Sequence, residues 1–316
     1  MHALPSTPDY AELESGCRVH ESTVARRAGD ATRAVAAAER ALALEQRRAG
    51  APGRVLEPLG ALAVAYWIAY RFADSDVMYR RVTPILESEG LAETRMAAVH
   101  FNNWSVMLHD SGQLLRAVEI AERAVRTARA ADTENGASLT MLTTYASALT
   151  ATGAFAAATP VYDEALAKAR VAGSARRLVT ALANAISGAY EAGDTARAAR
   201  LLVELERAGA EDQSAFARGL VELSAARVAL SRNELARAVD LARAAVTTLE
   251  TATSQQASLQ PALMFLARAF NTAGRHTEAL AAAERGLALA ERRRADLPHA
   301  ATIGRAHVEI GTARLG

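Results

Sequence analysis

Seven histidines, at positions 2, 20, 100, 109, 276, 299 and 307, are the first candidates for proton transfer or metal binding. No two of them have metal-ligand spacing on one helix face, and His20-Glu21 lacks the second His of a zincin motif. They read as surface or interhelical residues. A serine hydrolase would carry its nucleophile on a G-x-S-x-G elbow, and the sequence has none. Lys168 is the only Lys, with no glycine-rich loop beside it, which excludes a phosphate-binding GxxxxGK[ST] loop and the strand-borne Lys of a protein kinase. The lone Cys17 excludes an internal disulfide framework and Cys-rich zinc sites. Acidic residues are plentiful, but Glu119 with Arg123 and Glu122 with Arg126 sit at i,i+4, the spacing of solvated helix faces. The expectation is no catalytic residue, no metal and no cofactor.

The charge balance points the same way. Thirty-six basic residues face 35 acidic ones, a net charge of +1. Arg clusters at 26–27, 47–48, 80–81, 176–177 and 292–294 therefore lie in no net field that would draw in a polyanion. Nucleic acid is not expected as a partner. The longest strongly apolar run, residues 59–70, stops at Arg71 and is too short to span a bilayer. Pro5, Pro8, Asp9, Glu12 and Glu14 occupy the place of a secretion signal's basic and apolar regions. The chain reads as cytoplasmic, with no membrane partner.

The elements that carry these residues are set by alanine. Of 316 residues 77 are Ala, so about half of the hydrophobic fraction is the best helix former and a poor strand former. Such a core must be built from closely approaching helices. A short motif recurs along the chain, a turn former followed by Ala five residues later: Gly29…Ala34, Gly112…Ala117, Gly153…Ala158, Gly193…Ala198 and Gly274…Ala279, with Tyr70…Ser75 and Asn233…Ala238 as degenerate copies. The turn positions 29, 70, 112, 153, 193, 233 and 274 are spaced by 41, 42, 41, 40, 40 and 41 residues. A period of this size marks a repeat architecture. Gly ends a first helix in the left-handed conformation, and the small residue lets a second helix cross it closely. Positions nine and twelve after each turn, such as Ala38 and Ala41 or Ala121 and Ala124, continue that face at helical spacing.

These residues resemble the tetratricopeptide repeat, whose consensus has aromatic or Leu residues at positions 4, 7 and 11, Gly at 15, and Ala at 20 and 27. The segment from Phe101 through Trp104, Leu108 and Gly112 to Ala117 aligns well, as does Gly153 through Ala158 to Tyr162. The long period is similar to the kinesin-light-chain variety. HEAT-type repeats share the period, but the Gly-to-Ala spacing favours the tetratricopeptide form. The resemblance implies an all-α, right-handed α-solenoid of about seven antiparallel helix pairs over residues 9–316, after a flexible tail at 1–8. A capping helix at 298–315 would close it, and Gly316 falls 42 residues after Gly274, the place of an eighth turn. Pro84 predicts a kink or an early stop in the second helix of pair two. Arg18 and Glu21, standing where bulky apolar residues belong, predict a first helix that frays or caps.

In this family the first helix of each pair lines a concave groove. Position 6 of the consensus carries over to His20, Ala61, Asn103, Thr144, Asn184, Ser224 and Phe265. Asn there commonly holds the backbone of a bound peptide, since its amide both donates and accepts. Neighbouring inward positions add Asn102, His109, Thr140, Thr143, Ser147, Ser187, Tyr190 and Glu191, then Arg227, Arg268 and Asn271. The resemblance thus implies a peptide-binding groove of Asn102, Asn103, His109, Thr144, Ser147, Asn184, Ser187, Tyr190, Arg227, Arg268 and Asn271. Its middle is neutral and hydrogen-bonding, and two Arg at the far end suit a ligand carboxylate.

The expected function is a non-enzymatic scaffold or adaptor that binds a protein or peptide, in bacterial signalling or regulation. The later repeats also resemble the helical region attached to bacterial serine/threonine kinases, and Arg over Lys with abundant Ala suits a high-GC bacterium. The alternative is a peptide- or ligand-sensing domain of a transcription regulator or kinase.

Overall fold

A computed structural model describes residues 8–48, 50–252, 256–291 and 301–316. The chain divides into two compact units at Gly136–Ala137. In the first, α1 (Pro8–Arg27) pairs with α2 (Ala31–Arg47), α3 (Leu56–Ile68) with α4 (Phe72–Ser88), and α5 (Arg95–Asp110) with α6 (Leu114–Ala131), with a short 3-10 turn at Pro52–Val55. In the second, α7 (Leu139–Ala151) pairs with α8 (Phe155–Val171), α9 (Ala175–Glu191) with α10 (Thr195–Asp212), α11 (Ala215–Ser231) with α12 (Leu235–Thr251), and α13 (Gln256–Thr272) with α14 (His276–Glu291). Helix α15 (Ala301–Leu315) packs on α14 and α13. The described residues contain helices and turns and no strand.

The seven turns are built alike. Gly29, Tyr70, Gly112, Gly153, Gly193, Asn233 and Gly274 all have φ between 60° and 83°. After each, the next N–H reaches back five residues to a carbonyl: Asp30 to Ala25, Arg71 to Tyr66, Gln113 to Leu108, Ala154 to Leu149, Asp194 to Ala189, Glu234 to Ala229 and Arg275 to Phe270, all at 2.8–2.9 Å. This is the Schellman closure, which satisfies carbonyls that a helix end leaves orphaned. Tyr70 and Asn233 adopt the same left-handed backbone without being glycine, so the period locates a turn that residue type alone would miss.

Five residues on, Ala34, Ala117, Ala198, Ala238 and Ala279 are fully inaccessible, as is Ser75, whose hydroxyl donates to the Ala63 carbonyl at 2.8 Å. The larger fully buried core residues include Leu59, Leu86, Phe101 and Leu108 in the first unit, and Leu142, Leu166, Leu182 and Leu205 in the second. Each such side chain contributes about 1.5–3 kcal/mol on burial, which a quarter-alanine chain needs at every interface.

Two expectations are corrected in one of their alternatives, the early stop and the fraying. Helix α4 does not stop at Pro84 but continues to Ser88. Pro84 is exposed, while Val82 and Leu86 on either side are buried, so packing of the flanking residues carries the helix past the missing donor. Helix α1 does not fray at Arg18 and Glu21, which pair with each other at 2.8 Å. Its inner face uses hydroxyls in place of apolar groups, with Ser22 donating to the Ala34 carbonyl at 2.8 Å and Ser15 to the Ala41 carbonyl at 3.4 Å. The proposed tail at 1–8 lies outside the described residues except for Pro8, which opens α1. Of the expected 298–315 helix, residues 301–315 are described and 298–300 are not.

Candidate binding surfaces on the first helices

In the first unit, α1, α3 and α5 run parallel and line a trough of about 280 Å³. Asn103 is part of its wall. Asn102, one residue earlier on α5, is instead buried; it donates to Asn103 Oδ1 at 3.5 Å, and its own Oδ1 has no partner among the described residues. His109 is half-buried at the end of α5, its Nδ1 3.6 Å from Asp110, whose other oxygen accepts from the Trp67 indole at 3.0 Å. Behind the trough, Trp104 and Arg116 converge on Asp76, with the indole donating at 2.8 Å and the guanidinium at 3.1 Å. Burial works against the charge of Asp76, but the bonds from Arg116 and Trp104 hold its pKa below the usual range.

His100 sits in the same wall. Its Nε2 lies 3.4 Å from the Tyr79 carbonyl and its ring meets Tyr79 at 5.0 Å. Burial pushes its pKa down to about 4; the Tyr79 carbonyl opposes that shift and Arg123 adds to it. The ring is neutral at physiological pH.

In the second unit the expected residues separate into two groups. Thr144, Asn184 and Ser187 are half-buried on α7 and α9. Ser147 turns toward its partner helix, 3.5 Å from the Tyr162 hydroxyl, so it takes part in the packing of the pair. Tyr190, Arg227, Arg268 and Asn271 are brought together from α9, α11 and α13. The Tyr190 ring meets Phe265 edge-on at 5.7 Å, and the Arg227 guanidinium lies 5.4 Å over the same Phe265 ring. Arg268 donates to Glu191 at 3.2 Å and to Glu309 at 3.3 Å, while Asn271 donates to Glu309 Oε2 at 3.0 Å and to its backbone carbonyl at 3.1 Å.

The two arginines therefore differ. Arg268 is satisfied by carboxylates of this chain, and although burial opposes its charge, Glu191, Tyr190 and Glu309 raise its pKa. Arg227 has no salt bridge among the described residues, and burial lowers its pKa to about 10 despite the field of Glu191. Glu309, itself buried, is the member of this cluster that the sequence reading missed; the 42-residue step from Gly274 to Gly316, which puts α15 in the place of a first helix, was the available signal. Among the described residues no group of three or more His, Cys, Asp or Glu could hold a metal ion, and no helix is long and apolar enough to cross a membrane.

Helix pairs closed by one repeated Schellman turn, with a small residue at each crossing and polar residues along the first helices, define a tetratricopeptide-like all-α repeat fold. No family model matches the sequence, and no curated protein matches it. Solved structures share the fold. A kinesin-light-chain-type protein of nearly identical TPR-like repeats from Podosopora anserina superposes with a TM-score of 0.55 at 17% identity, over 62% of this chain and 95% of that one. A Rap protein complexed with Competence and Sporulation Factor gives 0.60 at 14%, over 96% and 88%. A tetratricopeptide repeat protein from Parabacteroides merdae gives 0.60 at 11%, over 96% and 99%.

Proposed function

We propose that this chain is a cytoplasmic, non-enzymatic scaffold that holds a protein or peptide partner on its first-helix faces, in bacterial signalling or regulation. The observation that supports this reading most is Arg227. A half-buried guanidinium over an aromatic ring, with no carboxylate bonded to it among the described residues, costs free energy that an anionic group of a partner would offset. Asn184 and Ser187 supply uncharged hydrogen-bonding groups on the neighbouring α9, suited to a peptide backbone.

The test is capture from an extract of the source organism on the immobilised chain, compared with Arg227→Ala and Asn184→Ala. Loss of the same captured protein from both variants, with far-ultraviolet circular dichroism unchanged, is the expected result. Equal capture by all three chains would move the site elsewhere.

A second reading, a peptide-sensing regulatory domain, is favoured by the likeness to the Rap protein solved with Competence and Sporulation Factor. A sensor would gain thermal stability from a short peptide through linkage. No shift across a broad peptide library would count against it.

A further inference from the structure

The trough of the first unit has a polarity of its own. Helix α1 contributes residues between Val19 and Arg26, α3 between Leu56 and Val64, and α5 between Met96 and Asn103. Because these helices are parallel, each stretch covers about two turns, or ~10 Å, and the residues nearest the helix C-termini gather at one end. By the repeat register Arg26, three residues before the turn at 29, stands at that end; Glu57, thirteen before the turn at 70, stands towards the other, and Asn103, nine before the turn at 112, lies between them. Between them the wall is mainly aliphatic, and Met96 and Val99 remain 47% and 46% exposed on its rim.

Two donors of the trough wall are unspent. Tyr79 is 1% exposed and its ring is fixed by stacking on Trp104 at 6.0 Å, yet its hydroxyl has no hydrogen-bond partner among the described residues. A buried hydroxyl normally finds a partner, and leaving one unmade is costly. Arg26 has no salt bridge among the described residues, and its field pulls the Tyr79 hydroxyl partly back from the upward shift that burial causes. Two other polar groups of the wall are engaged: Ser22 donates to Ala34, and His100 faces the Tyr79 carbonyl.

We propose that this trough binds a free small organic acid, a monocarboxylate with a compact apolar body. The carboxylate accepts from Arg26 and, once the wall parts to expose it, from the buried Tyr79 hydroxyl, and the body lies between Val19, Val64, Met96 and Val99. A volume of about 280 Å³ corresponds to roughly nine water molecules of liquid, room for a short aliphatic or single-ring acid and too little for a folded segment. Glu57 at the far end disfavours a second carboxylate. The site does not depend on the scaffold reading, since its residues all lie in the first unit and Arg227 lies in the second.

The test is calorimetric titration of the full chain with hexanoate, with hexanamide as its uncharged counterpart, with heptanedioate, and with the tripeptide Gly-Gly-Leu carrying a free C-terminus. Hexanoate is expected to bind about tenfold or more tightly than hexanamide, as a charge-assisted bond is lost, and more tightly than heptanedioate. Arg26→Gln is expected to erase the difference between hexanoate and hexanamide while the melting transition stays intact. Tyr79→Phe should weaken hexanoate several-fold, and Arg227→Ala should leave its binding unchanged. Absence of hexanoate binding at millimolar concentration, equal binding of acid and amide, or binding of the tripeptide alone would overturn the proposal.

Discussion

Gly188 of α9 lies against the ring of Tyr162 on α8: a Cβ at position 188 would stand 2.5 Å from Cε2 and 3.1 Å from Cζ. Tyr162 is 5% exposed, so the ring has little room to retreat. The contact joins one helix pair to the next, and glycine is what allows it. Gly188→Ala should therefore destabilise the second unit by about 1–3 kcal/mol, although alanine is the better helix former by ~1 kcal/mol. Urea unfolding measures this. In a Tyr162→Ala background the same substitution should become neutral or stabilising, because the clash is gone and only the propensity remains. A cost unchanged in that background would disprove the contact.

The left-handed turns permit a second test. Asn233 has φ 61°, a conformation that costs most L-residues about 1–2 kcal/mol and glycine almost nothing. Asn233→Gly should stabilise the chain by a few tenths to about 1 kcal/mol. Asn233→Val, β-branched and ill suited to this backbone, should destabilise it by about 1 kcal/mol or more. Thermal melts that rank Gly above Asn above Val would verify the order; any other ranking would contradict the shared turn geometry.

Much of the fold was legible because each repeat solves the same local problem twice. A chain ending a helix at a left-handed residue and crossing back over it leaves Gly and Ala five positions apart, and Tyr70 and Asn233 follow from the spacing although neither is glycine. The early stop expected at Pro84 is not found because the missing donor was weighed without Val82 and Leu86, whose burial holds α4 together. The first-helix positions were legible from helical periodicity, but their state was not. Asn102 is buried in the packing, its Oδ1 without a partner among the described residues; Ser147 is spent on Tyr162, and Arg268 on Glu191 and Glu309, partners 77 and 41 residues away. The unspent Tyr79 hydroxyl was illegible for the same reason, since it depends on which helices surround a side chain on α4.

His100 makes the first unit sensitive to acid. Its folded pKa is about 4, while an unfolded histidine titrates near ~6.5, so between these values the unfolded chain binds more protons. The contribution of neutral His100 is complete above about pH 6.5 and is lost as pH falls towards 4, at a rate on the order of 1 kcal/mol per pH unit. Asp76, whose pKa is depressed, adds a loss of the same sign at lower pH. Urea midpoints measured across this window should fall with acidity in the wild type and fall less in His100→Gln. Parallel pH profiles for the two chains would show that the ring is not held neutral.

The junction of α15 rests on one carboxylate. Glu309 is 7% exposed and accepts from both Arg268 and Asn271 of α13, and the Asn271 amide also reaches the Glu309 backbone carbonyl. Glu309→Ala removes the acceptor and leaves Arg268 with Glu191 and Tyr190, so the ordinary cost of an unmade buried bond, about 1–3 kcal/mol, falls on the docking of the last helix. Ala306, Ile310 and Ala313 still bury an apolar face there, so α15 should loosen without global unfolding. Hydrogen exchange should then speed up along 301–315 and stay unchanged in α9 and α11. Glu309→Gln, which still accepts but carries no charge, should give an intermediate rate. If Glu309→Ala exchanged no faster than wild type, apolar packing alone would hold the helix, and the Arg268–Glu309 pair would be one more surface-type ion pair with little effect on stability.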